Sequence, residues 1–237
     1  MEGYIHAIES MGLRDGPGIR TVVFMQGCRL RCRFCHNPDT WGAGGERISP
    51  EELVRRITRF HPYFERSGGG VTFSGGEPLL QPAFLKEALT LCREAGIHTC
   101  LDTAGVGLGD YDEILALTDL VLYDVKAIEA DAYYALCGGD IAETEEFQAA
   151  LVRAGCAVTV RQVVIPNYNA NDAYMQALRA YIQKKLPTAT RVELLPYHRM
   201  GAHKYRTLGL AEPLGDTPAA DKEAVAALAR KHFPDML

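Results

Sequence analysis

The most informative segment of the chain, residues 21–35, reads Thr21-Val-Val-Phe-Met25, Gln26-Gly27 and Cys28-Arg-Leu-Arg-Cys32-Arg-Phe-Cys35. Its first five residues are apolar or β-branched and predict a buried strand. The loop that follows carries three thiols, which therefore lie just past the carboxyl end of that strand. Active sites of parallel α/β folds lie at this end of the strands. The segment thus predicts an α/β fold and the location of its chemistry.

Strand-like and helix-like segments alternate along the rest of the chain. Further strands are predicted at residues 71–73, 98–101, 120–125, 158–165 and 192–195. The intervening helices have apolar residues at helical spacing, from an N-cap at Ser49 to a last helix that we expect to start at Thr217-Pro218. About six βα units predict a parallel sheet with right-handed crossovers. This spacing fits a doubly wound sheet and an open part-barrel equally well.

Composition and length restrict the class of protein. The chain has 237 residues and a net charge of −5, so its overall charge favours neither nucleic acid nor an anionic membrane as partner. Neither a membrane-spanning run nor a secretory signal is evident, and we expect a cytoplasmic protein. No linker or repeat is apparent, and we expect one domain over residues 1–237 with its cysteine loop at 27–40. Seven cysteines in a chain of this size indicate metal or redox chemistry better than a disulfide framework.

The three cysteines at positions 28, 32 and 35 suit an iron–sulfur cluster. A [4Fe–4S] cubane held by three thiolates keeps one iron open, and that iron can chelate the amino and carboxylate groups of S-adenosylmethionine (SAM). A structural zinc site needs four ligands, and the only near candidate, His36, is badly placed beside Cys35. Three inert core cysteines are implausible because Arg29, Arg31 and Arg33 interleave with them.

Several other segments point to one family. These are Asp15-Gly-Pro-Gly-Ile-Arg20, Phe34-Cys-His-Asn-Pro-Asp-Thr-Trp41, Gly70-Val-Thr-Phe-Ser-Gly-Gly-Glu-Pro78, His98-Thr-Cys-Leu-Asp-Thr103 and Leu194-Leu-Pro-Tyr-His198. With the cysteine triplet they resemble the glycyl-radical-enzyme activating family of the radical SAM superfamily, and within it the branch that acts on pyruvate formate-lyase. The resemblance runs from about Tyr4 to the last helix.

The resemblance implies a fold, an activity and partners. The fold would be a single-domain open partial (βα)6 barrel. One [4Fe–4S] cluster on Cys28, Cys32 and Cys35 would cleave SAM reductively to methionine and a 5′-deoxyadenosyl radical, which generates a glycyl radical on pyruvate formate-lyase under anaerobic conditions. Reduced flavodoxin or ferredoxin would donate the electron, and the enzyme would act as a monomer. Auxiliary clusters are not expected, because no cysteine lies between Cys35 and Gly75.

The resemblance also implies site residues. SAM is expected to contact the cysteine loop, the glycine turn and the strand ends, at Phe34, Cys35, His36, Asn37, Gly75, Gly76, Glu77, Asp102, Asp124, Val125, Lys126 and His198. A monovalent cation, Na⁺ or K⁺, is expected at Asp102, Thr103, Asp124 and the backbone carbonyl of Leu122. The glycine loop of the protein substrate is expected at Asp15, Gly16, Arg161 and His198.

Other interpretations remain open from the residues alone. Gly75-Gly76-Glu77 could be a simple turn, Asp102 and Asp124 helix N-caps, and Lys126 a solvated lysine. Cys92 suits a small core residue, and Cys100, Cys137 and Cys156 are assigned no role. Alternative functions are the activation of another glycyl radical enzyme, radical SAM chemistry on a small molecule, and a non-catalytic metal-binding module.

Overall fold

The computed structural model describes residues 1–237 and contains eight strands and nine α-helices. The strands are β1 (Gly3–Gly12), β2 (Arg20–Met25), β3 (Glu46–Ile48), β4 (Gly70–Gly75), β5 (His98–Thr103), β6 (Leu120–Asp124), β7 (Ala157–Val164) and β8 (Ala189–Pro196). The helices are α1 (Pro50–Thr58), α2 (His61–Ser67), α3 (Pro82–Glu94), α4 (Tyr111–Ala116), α5 (Ala130–Cys137), α6 (Glu145–Ala154), α7 (Asp172–Lys185), α8 (Ala202–Thr207) and α9 (Lys222–His232).

All strands belong to one sheet of order β3-β1-β2-β4-β5-β6-β7-β8. The run from β2 to β8 is parallel, so the six predicted parallel strands are confirmed. The outermost strands, β3 and β8, do not pair with each other, which leaves the sheet open. This single-domain open α/β arrangement is the part-barrel that the resemblance implied. The sequence analysis missed β1 and β3, which add antiparallel to the β2 edge.

The two faces of the sheet differ in polarity because side chains alternate along each strand. One face packs under the helices and contributes residues such as Val23, Phe73, Leu101 and Val160 to a core of 37 buried residues. The opposite face carries, in matching register, most of the polar strand residues: Arg20, Thr72, Ser74, His98, Asp102, Asp124, Arg161 and Glu193. This polar face is the inner surface on which a site can be built.

Helix ends follow the predicted capping chemistry in most places. The Ser49 hydroxyl accepts the Glu52 amide at 3.2 Å and starts α1, as expected. The prediction for the last helix was wrong, because α9 begins at Lys222 and its N-cap is Asp221, which accepts the Ala224 amide at 2.7 Å. Residues 214–220 instead form a connection tied to the end of β8 by the Ala220 amide and the Tyr197 carbonyl, 2.8 Å apart. None of the helices combines the length and hydropathy needed to cross a bilayer.

Candidate active site

The loop that carries the three cysteines alternates between exposed and buried side chains. Arg29, Arg31 and Arg33 face solvent, whereas Leu30, Cys32 and Phe34 are buried. The loop docks on the end of α5, because the Arg31 amide donates to the Cys137 carbonyl at 2.7 Å and the Arg33 amide to the Leu136 carbonyl at 2.8 Å. The loop is thus held against α5 like an edge strand.

Two of the cysteine sulfurs have a backbone donor beside them. The Asn37 amide donates to the Cys35 sulfur at 3.3 Å, and the Leu30 amide lies against Cys28. Cys32 has no such donor, and its thiol is itself the donor toward the Cys137 sulfur. Burial raises the pKa of Cys28 to about 12 and that of Cys35 to about 11. Three thiols on one loop, two of them with a backbone donor at sulfur, are the ligand set that an iron–sulfur cluster takes, with loss of their protons on binding.

The zinc alternative finds no ligand set. No group of three or more His, Cys, Asp or Glu side chains is arranged to hold a single metal ion. His36 is instead stacked on His198, with ring centroids 4.2 Å apart, and its Nε2 lies 3.0 Å from the His198 carbonyl oxygen. All seven cysteines are free thiols.

The Gly75-Gly76 turn brings two loops into close contact. Gly75 has a φ of +102°, and a Cβ on Gly76 would lie 2.2 Å from the Gly27 carbonyl oxygen, so both positions require glycine. The Gly76 amide donates to the Met25 carbonyl at 2.9 Å and the Glu77 amide to the Gly27 carbonyl at 2.8 Å. The Gly76 carbonyl oxygen accepts no hydrogen bond from the chain and is free for the ammonium group of a ligand.

The Glu77 carboxylate is used inside the protein. It accepts from the Thr103 hydroxyl at 2.6 Å, the Ala104 amide at 3.0 Å and the Leu79 amide at 3.1 Å. Burial raises its pKa to about 7, and these hydrogen bonds oppose the shift. The Glu77 side chain therefore links the glycine turn to the end of β5. Any ligand contact at Glu77 comes from its backbone.

Two carboxylates lie near each other at the ends of β5 and β6. The Ser74 hydroxyl donates to Asp102 Oδ2 at 2.6 Å, while Asp102 Oδ1 is buried without a hydrogen-bond partner. Burial, with repulsion from Asp124 as second cause, raises the pKa of Asp102 to about 6. Asp124 pairs with Lys126 at 2.5 Å. An unpartnered carboxylate oxygen beside a second acid is suited to a cation or to a donor on a ligand.

The other two predicted cation ligands, Leu122 and Thr103, can reach the site only through their backbones. Leu122 is aligned with Asp102 across β5 and β6 and is buried, so its backbone lies at the site. Thr103 follows Asp102 on the strand, and its side chain consequently points to the opposite face, where its hydroxyl bonds Glu77. Only the backbone of Thr103 faces the acidic pair.

Arg161 crosses the inner surface next to these acids. It is 7% exposed, pairs with Glu193 at 3.1 Å, bonds the Arg14 carbonyl and lies 3.8 Å from Asp102. Burial raises the pKa of Asp15, and the positive charges of Arg161 and Arg20 partly offset this rise. Arg161 thus links the 14–16 loop to the strand ends, and the two predicted substrate contacts, Asp15 and Arg161, lie within electrostatic reach of each other.

Arg20 was not singled out by the sequence analysis. It is fully buried and donates to the Thr72 hydroxyl at 2.6 Å and to the carbonyls of Val71 at 2.5 Å and His98 at 3.2 Å. The Thr72 hydroxyl in turn donates to the Asp15 carbonyl at 2.6 Å. The sequence signal that could have identified Arg20 is an arginine at the start of an otherwise apolar strand.

A C-terminal segment covers the cysteine loop, and part of it was not predicted from the sequence. On α8, Lys204 binds the Asn37 side chain at 2.8 Å, and the Tyr205 hydroxyl donates to the Cys35 carbonyl at 3.2 Å. His198 has a buried, unpartnered Nδ1. The Lys126 ammonium lies 5.6 Å from the centre of the Phe34 ring. The cysteine loop is therefore in contact with α5, α8 and Lys126, while Val125 packs into the core.

Comparisons with known proteins agree with this arrangement. A profile of the radical SAM superfamily matches residues 22–178. A pyruvate formate-lyase-activating enzyme of Clostridium pasteurianum is 53% identical over 222 residues, 93% of either chain, and one of Staphylococcus aureus is 41% identical over 97% of this chain and 95% of that one.

Solved structures show the same fold. A domain of a pyruvate-formate lyase-activating enzyme from Bacteroides vulgatus superposes with a TM-score of 0.55 at 24% identity, covering 69% of this chain and 92% of that chain. A radical SAM methyltransferase from Sphaerobacter thermophilus gives 0.64 at 16% identity, covering 96% of this chain and 74% of that chain.

Proposed function

Because this chain belongs to the radical SAM superfamily, within the family of pyruvate formate-lyase-activating enzymes, we propose that it generates a glycyl radical on pyruvate formate-lyase. It uses a [4Fe–4S] cluster and SAM. When bound, these supply reductive cleavage of a C–S bond, which yields the radical that removes a hydrogen from the glycine Cα. The observation that carries the proposal is the set of Cys28, Cys32 and Cys35 on one loop docked on α5 and α8, with backbone donors at the Cys28 and Cys35 sulfurs.

SAM is proposed to bind between the cysteine loop and the strand ends. The free Gly76 carbonyl suits its ammonium group. Lys126, which pairs with Asp124 at 2.5 Å and whose charge acts on Cys32, is proposed to meet its carboxylate. The stacked pair His36 and His198 provides a flat surface for the adenine, and the unpartnered His198 Nδ1 offers it a polar contact. Further contacts are proposed at Phe34, Cys35, Asn37, Gly75, the Glu77 backbone, Asp102, Asp124 and Val125.

A monovalent cation is proposed beside SAM at the acidic pair. The support is the buried Asp102 Oδ1, which has no hydrogen bond and lies 3.8 Å from Arg161, together with the repulsion between Asp102 and Asp124, which a cation would relieve. The backbone carbonyls of Leu122 and Thr103 can complete such a site, because both lie beside Asp102 in the sheet.

The protein substrate is proposed to present its glycine loop to Asp15, Gly16, Arg161 and His198. Asp15 can accept peptide amides, and Arg161 can donate two hydrogen bonds to peptide carbonyls. Arg161 currently bonds the Arg14 carbonyl, so one backbone carbonyl already occupies one of its donors. The enzyme is proposed to act as a monomer.

The electron donor is proposed to be reduced flavodoxin or ferredoxin, docking on the outer face of the cysteine loop. Arg29 pairs there with Glu143, whereas Arg31 and Arg33 have no carboxylate partner. A groove of 940 Å³ beside Arg29 reaches Cys28, and its lining includes Trp41, whose ring centre lies 5.1 Å from the Arg31 guanidinium. Exposed arginines next to a groove that reaches a cluster ligand suit an acidic redox protein.

The test is an anaerobic assay of the reconstituted, reduced chain with SAM and intact pyruvate formate-lyase. We expect 5′-deoxyadenosine and methionine as products and a glycyl radical signal in electron paramagnetic resonance (EPR) spectra. A radical that appears only with another glycyl radical enzyme, such as the anaerobic ribonucleotide reductase, would support the proposed reaction. It would contradict pyruvate formate-lyase as the protein substrate. SAM cleavage without any protein radical would point to a small-molecule substrate.

A further inference from the structure

Cys32 differs from the other two cluster cysteines in what surrounds its sulfur. The Cys35 sulfur receives the backbone N–H of Asn37 at 3.3 Å, whereas no N–H reaches Cys32. The Cys137 thiol, from the last residue of α5, packs in the same buried group as Cys32. A thiolate at Cys32 can only accept a hydrogen bond, so the Cys137 S–H becomes its donor once iron is bound. Cys32 is also the most deeply buried of the three. Its electrostatic surroundings are therefore set by α5 rather than by its own loop.

The second donor in this pocket is the hydroxyl of Tyr133. Tyr133 lies one helical turn before Cys137 on α5, so the two side chains share a helix face. Both pack in one buried group with Leu30, Cys32 and Phe34. Tyr133 is 2% exposed, and its hydroxyl has no hydrogen-bond partner. A buried hydroxyl left unpaired costs free energy, which indicates that a partner arrives when the site is loaded.

The position of α5 relative to the loop is well defined. The Arg31 and Arg33 amides, on both sides of Cys32, bond the last two carbonyls of the helix. Gly138, with a φ of +69°, ends the helix directly behind Cys137. At Gly139, an added Cβ would lie 2.7 Å from Leu30 and 3.7 Å from the Tyr133 ring. The close packing keeps the Tyr133 and Cys137 side chains on the buried side of Cys32.

We propose that Tyr133 and Cys137 are tuning residues, which donate O–H and S–H hydrogen bonds to the Cys32 sulfur when the cluster is bound and raise its reduction potential. This inference rests on the proposed function. Reduction adds negative charge to the cluster and its thiolates, so donors at sulfur stabilise the reduced state more than the oxidised state. Neither residue loses its proton or binds iron in this role.

The test is an EPR-monitored redox titration of the anaerobically reconstituted chain without SAM. We expect Tyr133→Phe and Cys137→Ala each to lower the midpoint potential, with the reduction equilibrium falling up to about tenfold, which corresponds to about 59 mV for one electron. Cys137→Ser keeps a donor and should shift the midpoint less. Matched controls are Tyr134→Phe, at the neighbouring and 70% exposed tyrosine, and Cys92→Ala, at a buried thiol on α3.

Iron and sulfide content distinguishes a tuning role of Cys137 from a role as an iron ligand. We expect both variants to hold as much iron as the parent chain. Unchanged midpoints in Tyr133→Phe and Cys137→Ala would overturn the proposal. Loss of iron in Cys137→Ala would also overturn it, because Cys137 would then be a ligand. A parent chain that assembles no cluster would contradict the proposed function itself, which is a different outcome from a cluster with an unshifted potential.

Discussion

At the scale of single residues, the fold depends on the buried guanidinium of Arg20, which has no role in the proposed reaction. Arg20 has no carboxylate partner, and its guanidinium is held by a hydroxyl and backbone carbonyls of the neighbouring parallel strands. Through Thr72 it also fixes the Asp15 backbone. The 15–18 turn is thus shaped by a residue that lies outside the turn, and the proposed substrate contact at Asp15 depends on it.

Replacing Arg20 with Met should destabilise the chain by about 3 kcal/mol, because hydrogen bonds to a charged group are lost and buried acceptors stay unpaired. The measurement is the urea unfolding midpoint of the cluster-free protein. Arg66→Ala, at an exposed arginine on α2, is the control and should change stability by less than about 0.5 kcal/mol. Equal midpoints for the two variants would contradict the structural role of Arg20.

The cluster cysteines give a second prediction at this scale. Cys32→Ala should lose the cluster and SAM cleavage, since three thiolates are the minimum that holds the cubane. Cys156→Ala should keep both, because Cys156 lies at the start of β7, at the amino end of the sheet. Iron and sulfide analysis after anaerobic reconstitution measures the difference. A full cluster in Cys32→Ala would remove the basis of the proposed function.

At the scale of elements, the site is an assembly of strand ends and the loops that follow them. The glycine turn after β4 sits against the Gly27 backbone so closely that no side chain fits, and Glu77 fastens it to β5. The cysteine loop is fastened to α5 and to α8. These links fix the relative positions of loops that are far apart in the chain.

Gly76→Ala should therefore disrupt the turn. A Cβ at 2.2 Å from the Gly27 carbonyl oxygen forces the cysteine loop to move, at a cost of about 1–3 kcal/mol. We expect a lower unfolding midpoint and poor SAM binding by equilibrium dialysis. Gly42→Ala is the control, because nothing lies within 4 Å of an added Cβ there and its backbone is not left-handed. Parent-like SAM affinity in Gly76→Ala would count against the turn as a binding element.

The acidic strand ends give a further prediction. If a cation bridges Asp102 and Asp124 to SAM, replacing potassium with a large organic cation should weaken SAM binding several-fold, since opposite charges in a partly dry cleft attract strongly. Asp124→Ala should bind SAM weakly in either salt. Affinity that is independent of the cation in both proteins would show that no bridge exists.

At the scale of the whole molecule, charge is distributed unevenly. The chain carries a net charge of −5, yet the outer face of the cysteine loop exposes three arginines. Arg161, in contrast, is buried on the inner surface of the sheet. We therefore propose different faces for the electron donor and the protein substrate.

Reduction by a protein donor should accordingly depend on salt and on the outer face. We expect Arg33→Glu to slow cluster reduction by reduced flavodoxin about tenfold at low salt, because charge complementarity governs association rates. Reduction by dithionite, a small molecule, is the internal control for cluster integrity. Stopped-flow absorbance measures both rates. A parent rate that does not change with ionic strength would exclude this docking face.

Residues 21–35 and the alternating apolar segments were sufficient to predict six parallel strands, the location of the chemistry and the three cluster cysteines. These features depend on local periodicity and on spacing within one loop, which are visible in the sequence. The choice between a doubly wound sheet and an open barrel was not visible, because it depends on how strands pair across the molecule. The family resemblance supplied that choice, and the strand order confirmed it.

Only the tertiary structure decided which groups meet. It placed Thr103 on the opposite face from Asp102 and turned the Glu77 carboxylate toward Thr103. It also buried Arg20 beneath the 15–18 turn and packed Tyr133 and Cys137 in one buried group with Cys32. Each of these results comes from contacts between segments 20 to more than 100 residues apart in the chain. Burial and hydrogen bonding at such separations depend on the packed sheet and helices, and they leave no local pattern in the sequence.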